Sequence, residues 1–129
     1  MTIMKVLSIL LISCMLFSCS GDENIPPGDL LLRVKNVSPY KYENIVVNTG
    51  DGEKDFGFLD PSQTSAYQSF EIAYRYAYVK LSINGETYII QPIDYVGEEP
   101  LPSGKYTYLI TASTSDDRYG RLGIDLQED

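Results

Sequence analysis

The sequence contains no histidine and no tryptophan, and it has only two cysteines, Cys14 and Cys19. Histidine is the commonest general base and metal ligand near neutral pH. Its absence excludes Ser-His-Asp triads, Cys-His pairs and histidine zinc sites. Because both cysteines lie close to the N-terminus, the rest of the chain has no thiol for a disulfide, a zinc site or a nucleophile. These absences do not exclude a hydrolase that uses a catalytic pair of carboxylates.

Positive charge is also scarce, with 10 Lys and Arg against 18 Asp and Glu and a formal net charge of −8. The phosphates of nucleic acids and of anionic lipid headgroups would be repelled by such a chain. We therefore predict no nucleic-acid partner and no docking on anionic headgroups. No motif in the sequence implies a cofactor, and we predict none.

The longest apolar run lies at the N-terminus, where Lys5 precedes the uncharged residues 6–18. This pattern is typical of a secretory signal peptide. The run is shorter than the roughly 20 residues that a transmembrane helix needs. The exit, Leu16-Phe17-Ser18-Cys19, resembles the bacterial lipobox, in which Phe17 is bulkier than the usual residue. This resemblance implies cleavage before Cys19 and a diacylglyceryl group on its sulfur, and two acyl chains attach a protein firmly to a membrane.

Residues 19–29 form the predicted tether, in which Asp22 and Glu23 follow closely on the cysteine. This acidic patch resembles the surface-export signal of Bacteroidetes lipoproteins, which implies exposure on the outer face of the outer membrane. A periplasm-facing position is the alternative, and the segment is predicted to be polar and disordered in either case. The predicted organisation is a signal peptide at 1–18, the lipidated tether at 19–29 and one domain at 30–129.

The domain shows period-two alternation of apolar residues between turn residues, which predicts an all-β fold. Leu30, Leu32 and Val34 share one face of the first strand, for example. Asn84-Gly85 predicts a hairpin, because a type I′ turn needs positive φ at both residues. The predicted strands cover residues 30–36, 42–48, 55–59, 65–83, 86–91, 107–112 and 119–126, with a helix as the alternative for 65–74.

The stretch from Leu101 to Tyr106 resembles the tyrosine corner of Greek-key sandwiches, in which the tyrosine hydroxyl bonds back to the main chain. These features together predict a seven- to eight-stranded antiparallel β-sandwich, either immunoglobulin-like or transthyretin-like. Residues 32–38, 73–77 and 91–98 also resemble a type of small, uncharacterised Bacteroidetes lipoprotein. That resemblance implies a lipid-anchored sandwich and brings no known activity.

The main candidate site is a set of three of the 11 tyrosines, Tyr74, Tyr76 and Tyr78. They alternate with residues predicted to face the core, so we predict an outward aromatic stripe on one strand. Tyrosine gives a large amphipathic contact and is enriched at interfaces, which indicates a binding face for a protein or a glycan. Two alternatives are open: the tyrosines stabilise the sheet by cross-strand pairing, or the strand is inverted and buries them.

Other polar groups are weaker candidates. The acidic stretch from Asp51 to Asp55 alternates carboxylates as calcium loops do, but its twelfth position is Ser62 instead of a glutamate, which predicts a solvated turn. Asp94 and Tyr95 are candidates for a ligand-binding loop. We therefore predict a membrane-anchored, non-catalytic sandwich that binds a protein or glycan partner. The alternatives are an accessory envelope lipoprotein without a selective ligand, and a small hydrolase that uses carboxylates.

Overall fold

The computed structural model describes residues 29–92, 95, 97–113 and 121–129, which form eight strands and no helix. The strands are β1 (Leu30–Asn36), β2 (Tyr42–Asn48), β3 (Glu53–Leu59), β4 (Gln68–Phe70), β5 (Tyr78–Ile83), β6 (Glu86–Ile90), β7 (Gly104–Ala112) and β8 (Leu122–Glu128). Within these described residues no helix is long and apolar enough to cross a membrane. Cys19 and the signal peptide lie outside the described residues.

The strands form two four-stranded sheets. Sheet A has the order β4-β1-β7-β8, and sheet B has the order β3-β2-β5-β6. The predicted all-β sandwich is confirmed, with one refinement. The strands pair antiparallel except for β1 and β7, which run parallel from Leu30 beside Gly104 to Asn36 beside Ile110. A parallel pair needs a long connection. Here five strands, β2 to β6, lie between the two partners in the sequence, and they include all four strands of sheet B.

The hydrophobic core lies between the sheets and is built by the predicted alternation. Leu30, Leu32 and Val34 of β1 are buried, while the intervening residues of that strand are half-buried. On sheet B the inward residues of β5 are Val79, Leu81 and Ile83, so the inverted orientation of this strand is excluded. The Tyr42 hydroxyl donates a 2.9 Å hydrogen bond to the Ile110 carbonyl, which joins β2 of sheet B to β7 of sheet A.

Two local predictions are confirmed. Asn84 and Gly85 have φ of 52° and 80° and connect β5 to β6 in the predicted hairpin. The Tyr106 hydroxyl donates a 2.8 Å hydrogen bond to the Pro102 carbonyl, which is the expected tyrosine-corner contact.

The long strand predicted for residues 65–83 is wrong in its middle. Only Gln68–Phe70 and Tyr78–Ile83 are strands, and residues 71–77 are irregular. The reason is that β4 belongs to sheet A and β5 to sheet B, so the intervening chain crosses between the sheets and pairs with neither. We call residues 71–77 the crossing segment.

Candidate functional site

The predicted tyrosine stripe is divided between the crossing segment and a strand. Tyr74 and Tyr76 lie in the crossing segment, and Tyr78 is the first residue of β5. The predicted single strand is therefore corrected, and the alternation holds only in part: all three tyrosines are half-buried and Ala73 and Ala77 are buried, but Arg75, between Tyr74 and Tyr76, is exposed. The side chains of Tyr74 and Tyr76 belong to the connection between the sheets and do not form a stripe along one sheet face.

A fourth tyrosine, from the connection between β6 and β7, completes this site. The Tyr95 ring stacks on the Tyr74 ring with centroids 4.4 Å apart and planes at 10°. It also stacks on the Tyr76 ring with centroids 5.5 Å apart and planes at 26°. Burial raises the pKa of Tyr95, and a hydrogen bond with the main chain of Tyr78 partly offsets this rise. We call Tyr74, Tyr76 and Tyr95 the tyrosine cluster.

Hydrogen bonds from several elements hold the crossing segment in place. The buried Tyr108 hydroxyl of β7 donates to the Tyr74 carbonyl at 2.7 Å. The Leu101 N–H donates to the Ala73 carbonyl at 2.8 Å. The Thr49 hydroxyl donates to the Ile72 carbonyl at 2.7 Å. Burial raises the pKa of Tyr108 far above its ordinary value, so this hydroxyl stays a neutral donor. The rings are therefore carried by a fixed main chain.

A second candidate site, which sequence analysis missed, lies between β2 and β3 on sheet B. Its groove of about 250 Å³ is lined by Lys41, Glu43, Asn44, Asp55, Gly57 and Phe58. The Phe58 side chain is 60% exposed. The Lys41 Nζ lies 5.0 Å from the centroid of the Phe58 ring and 4.0 Å from Glu43 Oε1. We call these six residues the Phe58 groove.

Irregular backbone shapes this groove. The pairing of β2 with β3 shifts register twice, between Tyr42 and Ile45 and again between Ile45 and Val46. Asn44 has a φ of 52°, and Gly57 has a φ of 75°. A non-glycine residue with positive φ inside a strand is strained. The sequence signal that was available was the pair Phe58-Leu59: Phe58 keeps the period of two that begins at Phe56, but Leu59, one residue later, is the residue that is buried.

The remaining sequence candidates do not form sites with one another. Asp51 accepts a 2.9 Å hydrogen bond from the Glu71 N–H, so its carboxylate fixes the start of the crossing segment. Arg75 is exposed. Asp94 lies outside the described residues. In the part of the chain that the structure describes, no three His, Cys, Asp or Glu side chains are grouped to hold a metal ion.

Comparison with known proteins identifies the fold alone. No protein-family model matches the sequence, and no curated protein matches it. Among solved structures, the chain is similar to an NMR structure of a protein from Eubacterium rectale, with a TM-score of 0.52 and 16% sequence identity. The similarity covers 78% of this chain and 88% of that chain. The chain is therefore a small all-β domain with two sheets, of a fold that occurs in another bacterial protein.

Proposed function

We propose that the chain is a lipid-anchored, non-catalytic binding module that holds a protein or glycan partner on the tyrosine cluster. The observation that carries this proposal is the gathering of three half-buried tyrosine rings from two separate connections of the sandwich. Tyrosine gives a large apolar contact with a polar hydroxyl at low cost in conformational entropy.

Pre-organisation supports the same proposal. The main chain under Tyr74 is bonded to β7 through Tyr108, and the adjacent Ala73 carbonyl is bonded by Leu101. Side chains that are ordered before binding lose less entropy when a partner arrives. Stacking of the rings on one another would stabilise the fold without any partner, and that is the basis of the alternative, an accessory lipoprotein with no selective ligand.

The strand order supports a transthyretin-like assignment within the sandwich class. In immunoglobulin constant domains the first two strands are neighbours in one sheet. Here β1 pairs with β4 and β7, while β2 lies in the other sheet. We therefore favour the transthyretin-like alternative for this small Bacteroidetes-type lipoprotein.

The binding proposal is tested by substituting the cluster and a matched tyrosine outside it. The probes are detergent-solubilised envelope proteins and an array of surface oligosaccharides, each presented to the immobilised protein. We expect Tyr76→Ser to weaken retention of a bound partner by about tenfold or more, as loss of an interface aromatic does. Tyr40→Ser is the control. Tyr40 is also half-buried, but it lies near the start of β2, whereas the end of β2 is the part that pairs with Tyr78 beside the cluster.

If the native protein and both variants retained the partner equally, the tyrosine cluster would not be part of the binding site. Retention of nothing by the native protein would favour the accessory role. A thermal melt of each variant distinguishes lost binding from lost folding, since Tyr76 is only half-buried and its removal is expected to leave the sandwich folded.

Anchoring is proposed from Cys19 and the acidic residues that follow it, with the domain at the cell surface. We expect incorporation of labelled fatty acid into the native protein and none into Cys19→Ser. Protease treatment of intact cells should release peptides of the sandwich if the domain is on the surface. Protection until the outer membrane is broken would instead place the domain in the periplasm.

A further inference from the structure

We propose that the Phe58 groove is a binding site for one neutral saccharide ring, separate from the tyrosine cluster. It lies on the outward side of the pair formed by β2 and the edge strand β3. The proposal rests on the backbone that builds the groove, on the chemistry of its lining and on its size.

The backbone is shaped locally to open the groove. The register shifts of β2 against β3 place extra residues on each strand in turn, and β2 also shifts against β5 between Glu43 and Val46. Bulges of this kind re-aim side chains and are over-represented at functional sites. A Cβ atom at Gly57, which lines the groove, would meet nothing within 4 Å, so the space beside this residue is open.

The lining combines an exposed aromatic ring with side chains that donate and accept hydrogen bonds. Phe58 is 60% exposed, which is the largest exposure among the large apolar side chains that are exposed in the described chain. The C–H face of a sugar ring packs on such an aromatic face. Around it, Glu43 offers a carboxylate acceptor, Lys41 a charged donor and Asn44 an amide with both functions. Adjacent hydroxyl groups of a sugar need this mixture of donors and acceptors.

Other ligand classes fit the groove less well. The Lys41 ammonium lies 5.0 Å from the centroid of the Phe58 ring and would repel a ligand cation. A neutral ring would only have to displace this flexible side chain, whose charge can remain near Glu43. An anion would meet the carboxylates of Glu43 and Asp55 and a chain of net charge −8. The charges around the groove therefore disfavour both cations and anions, and they favour a neutral, polyhydroxylated ligand.

An added peptide strand is also disfavoured, because main-chain groups of β3 are already bonded. The Asp55 carbonyl accepts a 2.7 Å hydrogen bond from the Gln68 amide. The Gly57 N–H donates a 2.8 Å hydrogen bond to the Asp55 carboxylate. Strand addition relies on free main-chain donors and acceptors at the sheet edge.

The size of the groove suits contact with a single ring of a ligand. Its volume of about 250 Å³ is below the range of about 300–1,000 Å³ of pockets that hold drug-sized molecules. A single exposed ring bound in a shallow groove is expected to have a dissociation constant on the order of 1 mM. Affinity for a longer glycan would then need further contacts along the sheet.

The experiment is an NMR titration of the isotope-labelled full chain with methyl glycosides of glucose, galactose, mannose and N-acetylglucosamine. We expect at least one glycoside to shift the amide signals of Asn44 and Gly57 in a saturable manner. Phe58→Ala should abolish the shifts. Ile89→Ala is the matched control, because Ile89 is 42% exposed on β6 at the other edge of the same sheet, and it should leave the shifts unchanged.

A second variant separates ligand contact from backbone shape. Asn44→Gly keeps the positive φ without strain and removes the amide, so it should weaken binding while leaving the fold intact. The proposal is overturned if no glycoside shifts the groove amides, or if Phe58→Ala binds as the native protein does. Shifts confined to Tyr95 and Tyr78 would also overturn it and would instead support glycan binding at the tyrosine cluster.

Discussion

Among single residues, Asp129 has a densely bonded carboxylate on the outer face of sheet A. It accepts hydrogen bonds from the Tyr67 hydroxyl at 2.7 Å, the Thr107 hydroxyl at 2.7 Å and the Gln127 amide at 3.0 Å. The Arg33 Nε lies 3.5 Å away. Desolvation of the carboxylate would raise its pKa, but these hydrogen bonds and the Arg33 charge outweigh it and hold the pKa of Asp129 below its ordinary value. The bonds tie the end of β8 to β1 and β7.

The lowered pKa makes the contribution of Asp129 depend on pH. A carboxylate whose folded pKa is below its unfolded value of about 3.9 stabilises the protein above that pH, and the stabilisation is lost as the pH falls through the folded pKa. We expect Asp129→Asn to lower the free energy of unfolding by about 1 kcal/mol near neutral pH, since part of the residue is in water. The difference from the native protein should shrink in acid, as measured by urea denaturation at several pH values.

The control for this prediction is Asp125→Asn, which removes an exposed carboxylate from β8, the strand that Asp129 follows. Its free energy of unfolding near neutral pH should be close to that of the native protein, as is usual for an exposed surface substitution. A constant gap between Asp129→Asn and the native protein, from neutral pH down to acid, would mean that the ionised carboxylate is not the stabilising group.

Among the elements, the crossing segment depends on β7 through one buried hydroxyl. Tyr108→Phe would leave the carbonyl of the half-buried Tyr74 without its 2.7 Å partner. We expect a cost of about 1 kcal/mol, at the low end of the penalty for an unpaired buried acceptor. We expect lower stability and faster hydrogen exchange of amides in residues 73–77. Because burial raises the pKa of Tyr108 above the unfolded value of about 10, its stabilising effect is present at neutral pH and decreases as the pH rises above that value.

The matched variant is Tyr106→Phe, which removes the tyrosine-corner hydrogen bond to Pro102 two positions earlier on the same strand. It should lower stability by about 1 kcal/mol and leave exchange in the crossing segment unchanged. Equal exchange in both variants would show that Tyr108 does not hold the segment.

The β5–β6 hairpin depends on two residues with positive φ. Gly85 has a φ of 80°, a conformation that costs an L-residue about 1–2 kcal/mol. We therefore expect Gly85→Ala to lower the free energy of unfolding by about 1 kcal/mol. Asn84→Gly, which adopts the same backbone freely, should change stability by less. A thermal melt of the two variants compares them directly, and an unaltered melt of Gly85→Ala would contradict the strain argument.

These elements also show which parts of the fold were predictable. The hairpin and the tyrosine corner depend on a few consecutive residues, so their signals are present in the local sequence. The parallel pairing of β1 with β7 depends on residues 74 positions apart, such as Arg33 and Thr107, and no local pattern encodes it. Alternation of residue types in the sequence also failed to distinguish a paired strand from the irregular, unpaired crossing segment.

The candidate sites also divide into features that the local sequence predicts and features that depend on the tertiary structure. Tyr74 and Tyr76 were predictable as a pair because they lie two residues apart in one segment, between the buried Ala73 and Ala77. Their stacking with Tyr95 arises from a separate connection and needed the tertiary structure. The Phe58 groove escaped detection because a bulge breaks the period that sequence patterns rely on.

In the molecule as a whole, the two sheets share one core and should unfold together. Leu32 of sheet A and Leu81 of sheet B are both fully buried in it. A domain of this size with one core is expected to unfold in a single transition. A substitution on either sheet should therefore destabilise the same cooperative unit.

Leu32→Ala and Leu81→Ala test whether the two sheets unfold together. Each is expected to lower the free energy of unfolding by about 2–5 kcal/mol, because the lost methyl groups leave a cavity that the core fills only in part. Ile89→Ala, on the outer face, should cost less than about 1 kcal/mol. Near-ultraviolet circular dichroism of the 11 tyrosines and amide exchange in each sheet should report one shared transition for every variant. If Leu32→Ala shifted the unfolding of sheet A while sheet B kept its native midpoint, the sheets would be independent units. In that case the core between the sheets would not hold the crossing segment and its tyrosines in place.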